Sequence, residues 1–183
     1  TRNPYSNRYS GDVIGSKKII QILKKNSILD VVTLGDEKNF SKKNIFIFQR
    51  KNVIFSFINM LKALFYLQPI QFGLFYSDEM KKFVDNNASN YDLIFFYHIR
   101  SIQYLPKNYY GKKIIEMGDL YSSNYKQTFH ALSIFNPFKY IYFLESLLVK
   151  RLEEKIFTNF KKIILFSKNE IKKIDKIFLK KII

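Results

Sequence analysis

The chain of 183 residues contains no cysteine. Disulfides and thiol catalysis are therefore excluded, and a reducing compartment is permitted. Histidine is almost as scarce: His98 and His130 are the only two, and without a cluster at metal-ligand spacing no zinc site is expected. Acidic residues number 15 against 31 basic ones, a net charge of +16. The sequence leaves two origins open for that excess. One is a coding preference for Lys, Ile, Asn, Phe and Tyr; the other is selected attraction to the phosphates of a nucleotide, a nucleic acid or anionic lipids. No GxGxxG run and no Walker lysine pattern occurs. Nothing at the start reads as a basic segment, an apolar core and a cleavage site, so no secretory signal is expected. Repeats, low-complexity tracts and an interdomain linker are also lacking, which suggests one domain with a core large enough to need neither metal nor disulfide.

A long uninterrupted apolar run is missing too. The nearest is 53–76, where Lys62 is the one charge but Asn59, Gln68, Pro69 and Gln71 break the run. A spanning helix needs about 20 predominantly apolar residues, so none is expected here. Ile54, Phe57, Ile58, Leu61 and Phe65 share one helical face. That face reads first as core-directed, with an apolar lip on a bilayer surface as the alternative.

What is present is an alternation of helical and strand patterns. The opening TRNPYSNRYSGD reads as a loop, and residues 13–25 as a helix with Ile14, Ile19, Ile22 and Leu23 inward. Strands are expected at 30–34 and 44–48, an apolar helix from 53 to about 67 stopped by Pro69, and a helix from 78 to 84 with acidic residues in its first turn. A loop over 86–90 precedes YDLIFFY at 91–97, the clearest buried strand, and KIIEM at 113–117 is a second. Late in the chain, Ile141, Leu144, Leu148 and Leu152, widened by Leu147 and Ile156, mark a long amphipathic helix, with Glu153 among the residues on its other faces. The run 163–166 then reads as a strand, and Ser167 with Glu170 has the spacing of a capping box. The order implies an α/β fold: a Rossmann-like open, mostly parallel sheet with helices on both faces.

In such sheets ligands bind outside the carboxyl ends of the strands. His98 and Arg100 follow the first buried strand, and Gly118 and Asp119 the second, so these residues are expected on one rim. His98 suits a proton acceptor or an orienter of a hydroxyl, although a lone His after a strand is more often structural. Arg100 suits a phosphate or carboxylate, although surface pairing is the commoner use. Asp119 sits in GDLYSSN, which reads equally as a turn. Gly11 and Gly15 precede a helix, where backbone amides can approach an anion, but a plain loop is the simpler reading. Glu145 and Glu153, eight apart on one helix, are too separated for a paired acid and base and read as solvating or bracing it. Thirteen Tyr and nineteen Phe among many Lys could serve stacking on nucleic acid, but most fall inside expected strands and helices, so core packing is favoured and nucleic acid is not expected as a partner.

Read together, PYSNRYSGD with its following helix, QPIQFGLFYSDEMKKFV from Gln68, YDLIFFYHIRSIQYL from Tyr91, IIEMGDLYSSNY from Ile114, and the Glu145, Glu153, Ser167, Glu170 frame resemble the N-terminal domain of GT-B glycosyltransferases of the family 4 type that build bacterial surface polysaccharides. The resemblance covers nearly all of residues 1–183. It implies an acceptor-side Rossmann-like domain, a nucleotide-sugar donor, a glycan or lipid-linked acceptor, and no bound metal or other cofactor. It implies a cytoplasmic location with an anionic membrane surface as a further partner at the inner face. By the same resemblance Gly11 approaches the donor diphosphate, although the usual glycine pair is here Ser10-Gly11, His98 faces the reacting sugar, and Arg100 and Asp119 line the acceptor side. The donor-binding domain and its widely spaced glutamates are not in these residues, so the fragment alone is expected to be inactive. A central first strand is also expected ahead of Thr1. A basic nucleic-acid-binding module and a peripheral membrane adaptor working through 53–76 stand as the alternatives.

Overall fold

A computed structural model describes residues 3–5, 10–36 and 40–183. Part of the expected opening loop, including Arg2 and Arg8, lies outside the described residues. The chain runs α1 (Gly11–Asn26), β1 (Val31–Gly35), β2 (Phe40–Lys42), β3 (Ile45–Gln49), α2 (Val53–Phe65), α3 (Ile70–Leu74), α4 (Asp78–Asn87), β4 (Leu93–Tyr97), β5 (Lys112–Gly118), α5 (Tyr121–Ala131), α6 (Phe138–Asn159), β6 (Lys162–Leu165) and α7 (Lys168–Ile171). Short 3-10 turns occupy Ala88–Asn90, Ile99–Tyr104 and Lys176–Lys181. The fold is α/β, with an open parallel sheet of the Rossmann-like kind, though small.

The strands form two sheets rather than the single sheet expected. One has the order β1-β3-β2, with β1 parallel to β3 and β2 antiparallel to β3. The other is β4-β5-β6, parallel throughout. Residues at the C-terminus lie along the outer edge of β6, with Ile183 N–H donating to Ile163 O at 2.9 Å. Both sheets point the same way. Tyr91 OH hydrogen-bonds Asp30 where the chain enters β4 and β1, and beyond β3 and β4 the guanidinium groups of Arg50 and Arg100 lie over one ring, Phe75, at 5.5 and 4.6 Å.

Most of the core belongs to the second sheet. Phe96, Ile115 and Ile163 are register partners and so share a face. Against them pack Val149, Ile156 and Phe157 of α6, with Met117, Leu120 and Leu165 completing the cluster. The opposite face presents Tyr97 and Glu116, also register partners, and there the first turn of α1 arrives, with Tyr97 OH donating to Asp12 O at 3.2 Å. Gly15 makes this approach feasible, since a Cβ there would stand 2.6 Å from the Tyr97 hydroxyl oxygen. The first sheet holds a smaller cluster of Leu34, Met80 and Tyr104. There the Phe83 ring of α4 packs on Phe46 and Phe48 at 4.6 and 5.4 Å.

Several expectations need correction. Helix α2 is not core-directed: Ile54, Phe57, Ile58, Leu61 and Phe65 are exposed, and Ala63 is its one buried residue. Its anchor is instead the close crossing with α3, where a Cβ on Gly73 would stand 2.2 Å from Met60 N. The helix ends at Phe65, ahead of Pro69: Leu67 turns the chain at φ 51°, Gln68 N–H closes the end on Ala63 O at 2.8 Å, and Pro69 begins α3 as N-cap. The buried stripe of α6 is rotated from the expected one. Leu148 and Ile156 are inside, but Ile141 and Leu147 are exposed, while Glu145 and Glu153 are buried. The GDLYSSN segment leads into the eleven-residue helix α5 rather than an isolated turn. The capping box at Ser167 does not form: its side chain makes no cap bond, and the Glu170 carboxylate bonds elsewhere. The loop at 86–90 is the end of α4 followed by a 3-10 turn. Of α1's expected inward residues, Ile22 is exposed, while Ile19 and Leu23 face a cleft between the two sheets.

Candidate functional site

Strands β4 and β5 are parallel neighbours, so the residues that follow them do share one rim. His98 continues the ladder by one bond, its N–H donating to Glu116 O at 2.8 Å. Its backbone then turns sharply, to φ 64° and ψ 152°, a combination suited to glycine that costs a residue with a Cβ roughly 1–3 kcal/mol. Ser101 fixes the turn, its hydroxyl donating to His98 O at 2.7 Å.

The kink directs the imidazole among three groups. Tyr121 OH, at the start of α5, lies 3.1 Å from Nδ1. Glu116 Oε2 lies 3.8 Å from Nδ1, and Asp12 Oδ1 3.7 Å from Nε2. When Tyr121 donates to Nδ1, the neutral ring carries its proton on Nε2, facing Asp12. The His98 side chain is 17% exposed and that of Glu116 2%. His98 Nε2 and Glu116 Oε2 are both buried without a hydrogen-bond partner among the described residues. Orphaned buried polar atoms are rare in folded proteins and call for an explanation.

Burial dominates the ionisation of both groups. It pushes the His98 pKa down to about 4, with nearby Arg100 acting the same way and Asp12 opposing. It pushes the Glu116 carboxyl up to about 7, reinforced by the charges of Asp12 and Asp119. At neutral pH the imidazole is therefore uncharged and Glu116 is divided between acid and carboxylate. A neutral ring beside a carboxyl near its midpoint can accept a proton from a bound hydroxyl or donate one to it. Burial also raises the Tyr121 and Tyr97 phenols, so both remain hydrogen-bond donors.

Helix starts around the rim are held by buried carboxylates from distant segments. Glu145 accepts from Ile70 N and Gln71 N at 2.7 and 3.2 Å. Glu153 accepts from Ser122 N at 3.1 Å and from its hydroxyl. Glu170 accepts from Leu120 N at 2.5 Å. Each satisfies orphan amides at a helix N-terminus, where negative charge is favoured. The two α6 glutamates thus brace α3 and α5 rather than their own helix. Burial raises the Glu153 carboxyl to about 7, and its Ser122 bonds oppose that.

The other sequence candidates fall around this centre. Arg100 donates from Nε to Gln71 Oε1 at 2.9 Å while its guanidinium covers Phe75. Asp119 is exposed on the same rim. Gly11 opens α1 with free space where a Cβ would stand, so its backbone needs no glycine; Gly15 is the tightly packed one. Sequence reasoning passed over Glu116, Asp12 and Tyr121. The signal for Glu116 was a lone carboxylate inside the apolar run IIEM. Asp12 and Tyr121 carried no comparable mark, because only folding brings them to His98. No group of three or more His, Asp or Glu able to hold a metal occurs among the described residues. No helix among them is long and apolar enough to cross a membrane.

No family model matches the sequence, and no curated protein is similar to it.

Proposed function

We propose that this chain is the acceptor-side domain of a glycosyltransferase that moves a sugar from a nucleotide-sugar donor to a glycan or lipid-linked acceptor in surface polysaccharide synthesis. The observation that carries the reading is His98. It is held in a backbone conformation suited to glycine, at the end of a parallel strand, with a ring nitrogen buried and unbonded beside a carboxyl lacking a bond of its own. Such strain persists where the surroundings over-determine it, and it gathers at ligand sites. A bound hydroxyl compound would complete both missing bonds.

In this reading His98 orients the reacting hydroxyl, and Glu116, near its midpoint at neutral pH, exchanges a proton with it. Arg100 and Asp119 flank the acceptor, and the first turn of α1 at Gly11 presents its amides to the donor diphosphate. The nucleotide sugar is a substrate, and the reaction draws on no resident metal or cofactor. Helix α2 supports peripheral attachment at the inner face of the membrane, because its exposed Ile54, Phe57, Leu61 and Phe65 side chains accompany the exposed Lys62 in a strongly basic chain.

The test is sugar transfer by the full-length polypeptide from a panel of nucleotide sugars to lipid-linked and oligosaccharide acceptors. His98→Ala should lower kcat by roughly 100-fold or more. His98→Gly should lower it equally while leaving stability unchanged or higher, because glycine relieves the backbone strain. Turnover unaffected by either change would remove His98 from the reaction. Binding to DNA or RNA that falls steeply with salt, with no transfer from any donor, would favour a nucleic-acid module instead.

A further inference from the structure

At the exits of the two sheets, two arginines from different strands converge on a single aromatic ring. Arg50 follows β3 and Arg100 comes three residues after β4, and their guanidinium carbons lie 5.5 and 4.6 Å from the centroid of Phe75. We propose that Arg50, Arg100 and Phe75 form a clamp for a phosphate group, on a ligand that sits where the sheets meet.

The clamp is held in shape by its own supports. The Phe75 carbonyl accepts from Gln103 Nε2 at 3.1 Å and from Tyr104 OH, and Ser77 N–H donates to that same hydroxyl at 2.9 Å. The segment carrying the ring is therefore tied to the 3-10 turn that carries Arg100. Arg100 Nε donates to Gln71 Oε1 at 2.9 Å, and buried Gln71 is fixed through its own N–H to Glu145. That Nε is the one Arg100 nitrogen that donates a hydrogen bond among the described residues, so the terminal edge of a fixed fork is left over.

Charge around the ring is also out of balance. Two cations over one ring repel each other, and Arg100 forms no ion pair among the described residues. Glu145 feels the Arg100 charge, but its oxygens are occupied by the amides of Ile70 and Gln71. Arg50 Nε lies 3.7 Å from Asp36 Oδ1, beyond hydrogen-bond reach, and is buried without a hydrogen-bond partner. Arginine is scarce here, confined to positions 2, 8, 50, 100 and 151. A bias toward lysine codons does not account for two of them meeting at one ring.

Two forks select phosphate over carboxylate. One guanidinium already engages both oxygens of a carboxylate, whereas the further oxygens of a phosphate accept from a second fork. Lysine, a point charge, does not replace such a planar contact. The Arg100 charge reaches His98, so the bound phosphate lies on the same rim as the imidazole. Resting on the transferase reading, this makes the acceptor a phosphate-bearing compound; the clamp itself does not need that reading.

The experiment treats the unmutated full-length polypeptide with phenylglyoxal, which modifies arginine, and reads each site by mass spectrometry. Methyl phosphate should slow modification of Arg50 and Arg100 by ~10-fold or more, acetate should not, and exposed Arg151 should react at one rate throughout. In calorimetry, Arg50→Gln, Arg100→Gln and Arg100→Lys should each weaken methyl phosphate binding by ~10-fold or more. Lys112→Gln removes the same charge at the entrance of β5, the far end of the second sheet, and should change it by less than ~2-fold. Vesicles of phosphatidylglycerol separate the sources: protection by methyl phosphate alone marks a soluble ester, and protection by vesicles as well marks a lipid headgroup. Equal protection of Arg151, no protection of either clamp arginine, equal protection by acetate, or unchanged affinity in the arginine variants overturns the clamp. Sugar transfer without phosphate protection would remove the clamp and leave the transferase reading; protection without transfer from any donor would do the reverse.

Discussion

The two sheets use similar strands and reach different states. In β4-β5-β6, eleven buried residues form one cluster, with α6 against one face and α1 arriving at the other. Around β1-β3-β2 the buried cluster is three residues, and the adjoining α2 holds its largest side chains in solvent. Strand propensity does not separate them, since IFIF and LIFF are nearly the same string. What differs is how extensively each sheet is covered, since β3, which carries IFIF, already has a partner on each edge. The central strand β5 has a partner on each side and buries Ile115 and Met117 completely. Strand β1 has a partner on one side and a cleft on the other, and its neighbour α1 leaves Ile22 exposed. The lesson is that paired edges do not by themselves build a core: β3 has both edges paired, yet the larger buried cluster forms where the long helix α6 covers the second sheet.

The contrast can be broken most sharply at its strongest point. Ile115→Ala should cost about 4 kcal/mol in a denaturant titration, because the cavity forms where nothing can collapse into it. A loss near 1 kcal/mol would mean that the second sheet is no better packed than the first.

Next in size is the pH response of the rim. The Glu116 pKa is raised in the folded chain, so its contribution is fully present below its ordinary value near 4.5 and is lost as pH rises through about 7. Wild type should therefore lose about 3 kcal/mol between pH 5 and 8.5 from this group, and Glu116→Gln should remove that slope. The His98 pKa is lowered, so its contribution is present above about 6.5 and is lost as pH falls through about 4. Parallel stability profiles for wild type and Glu116→Gln would show that the carboxyl is solvated after all.

Glu153→Ala should cost about 2 kcal/mol and fray the first turn of α5, seen as faster amide exchange at Ser122. Undisturbed exchange there would dissociate α5 from its α6 brace. The smallest stability effect belongs to the poorly covered half: Phe57→Ser on α2 should change stability by no more than about 0.5 kcal/mol while weakening binding to anionic vesicles. Full vesicle binding by a variant with Ile54, Phe57 and Phe65 all replaced by serine would remove the membrane role.

The residues made five of the strands and their order legible, because runs such as YDLIFFY and KIIEM are apolar, of strand length and followed by polar residues; the three-residue β2 (Phe40–Lys42) carried no such mark. They also made His98, Arg100 and Asp119 legible as rim candidates, since that follows from parallel strand direction alone. Helix α5 was hidden because TYR-SER-SER-ASN, residues 121–124, carries poor helix formers; its start is stabilised by Glu153 and Glu170, which are 31 and 50 residues from their partners. The outward reading of Glu153 failed for the same reason. A charge on a helix reads as solvent-facing until a second helix supplies amides for it to bind.

By itself the sequence determined the alternation of helices and strands, the absence of thiol chemistry and the basic surface, all of which depend on residue type and local spacing. Only the tertiary structure decided that the sheet divides into two around an apolar cleft, that α2 faces outward, and that Asp12, Glu116 and Tyr121 gather on a strained His98. Those features arise from contacts between segments far apart in the chain, where burial and missing hydrogen-bond partners set the energies and local pattern carries no record of them.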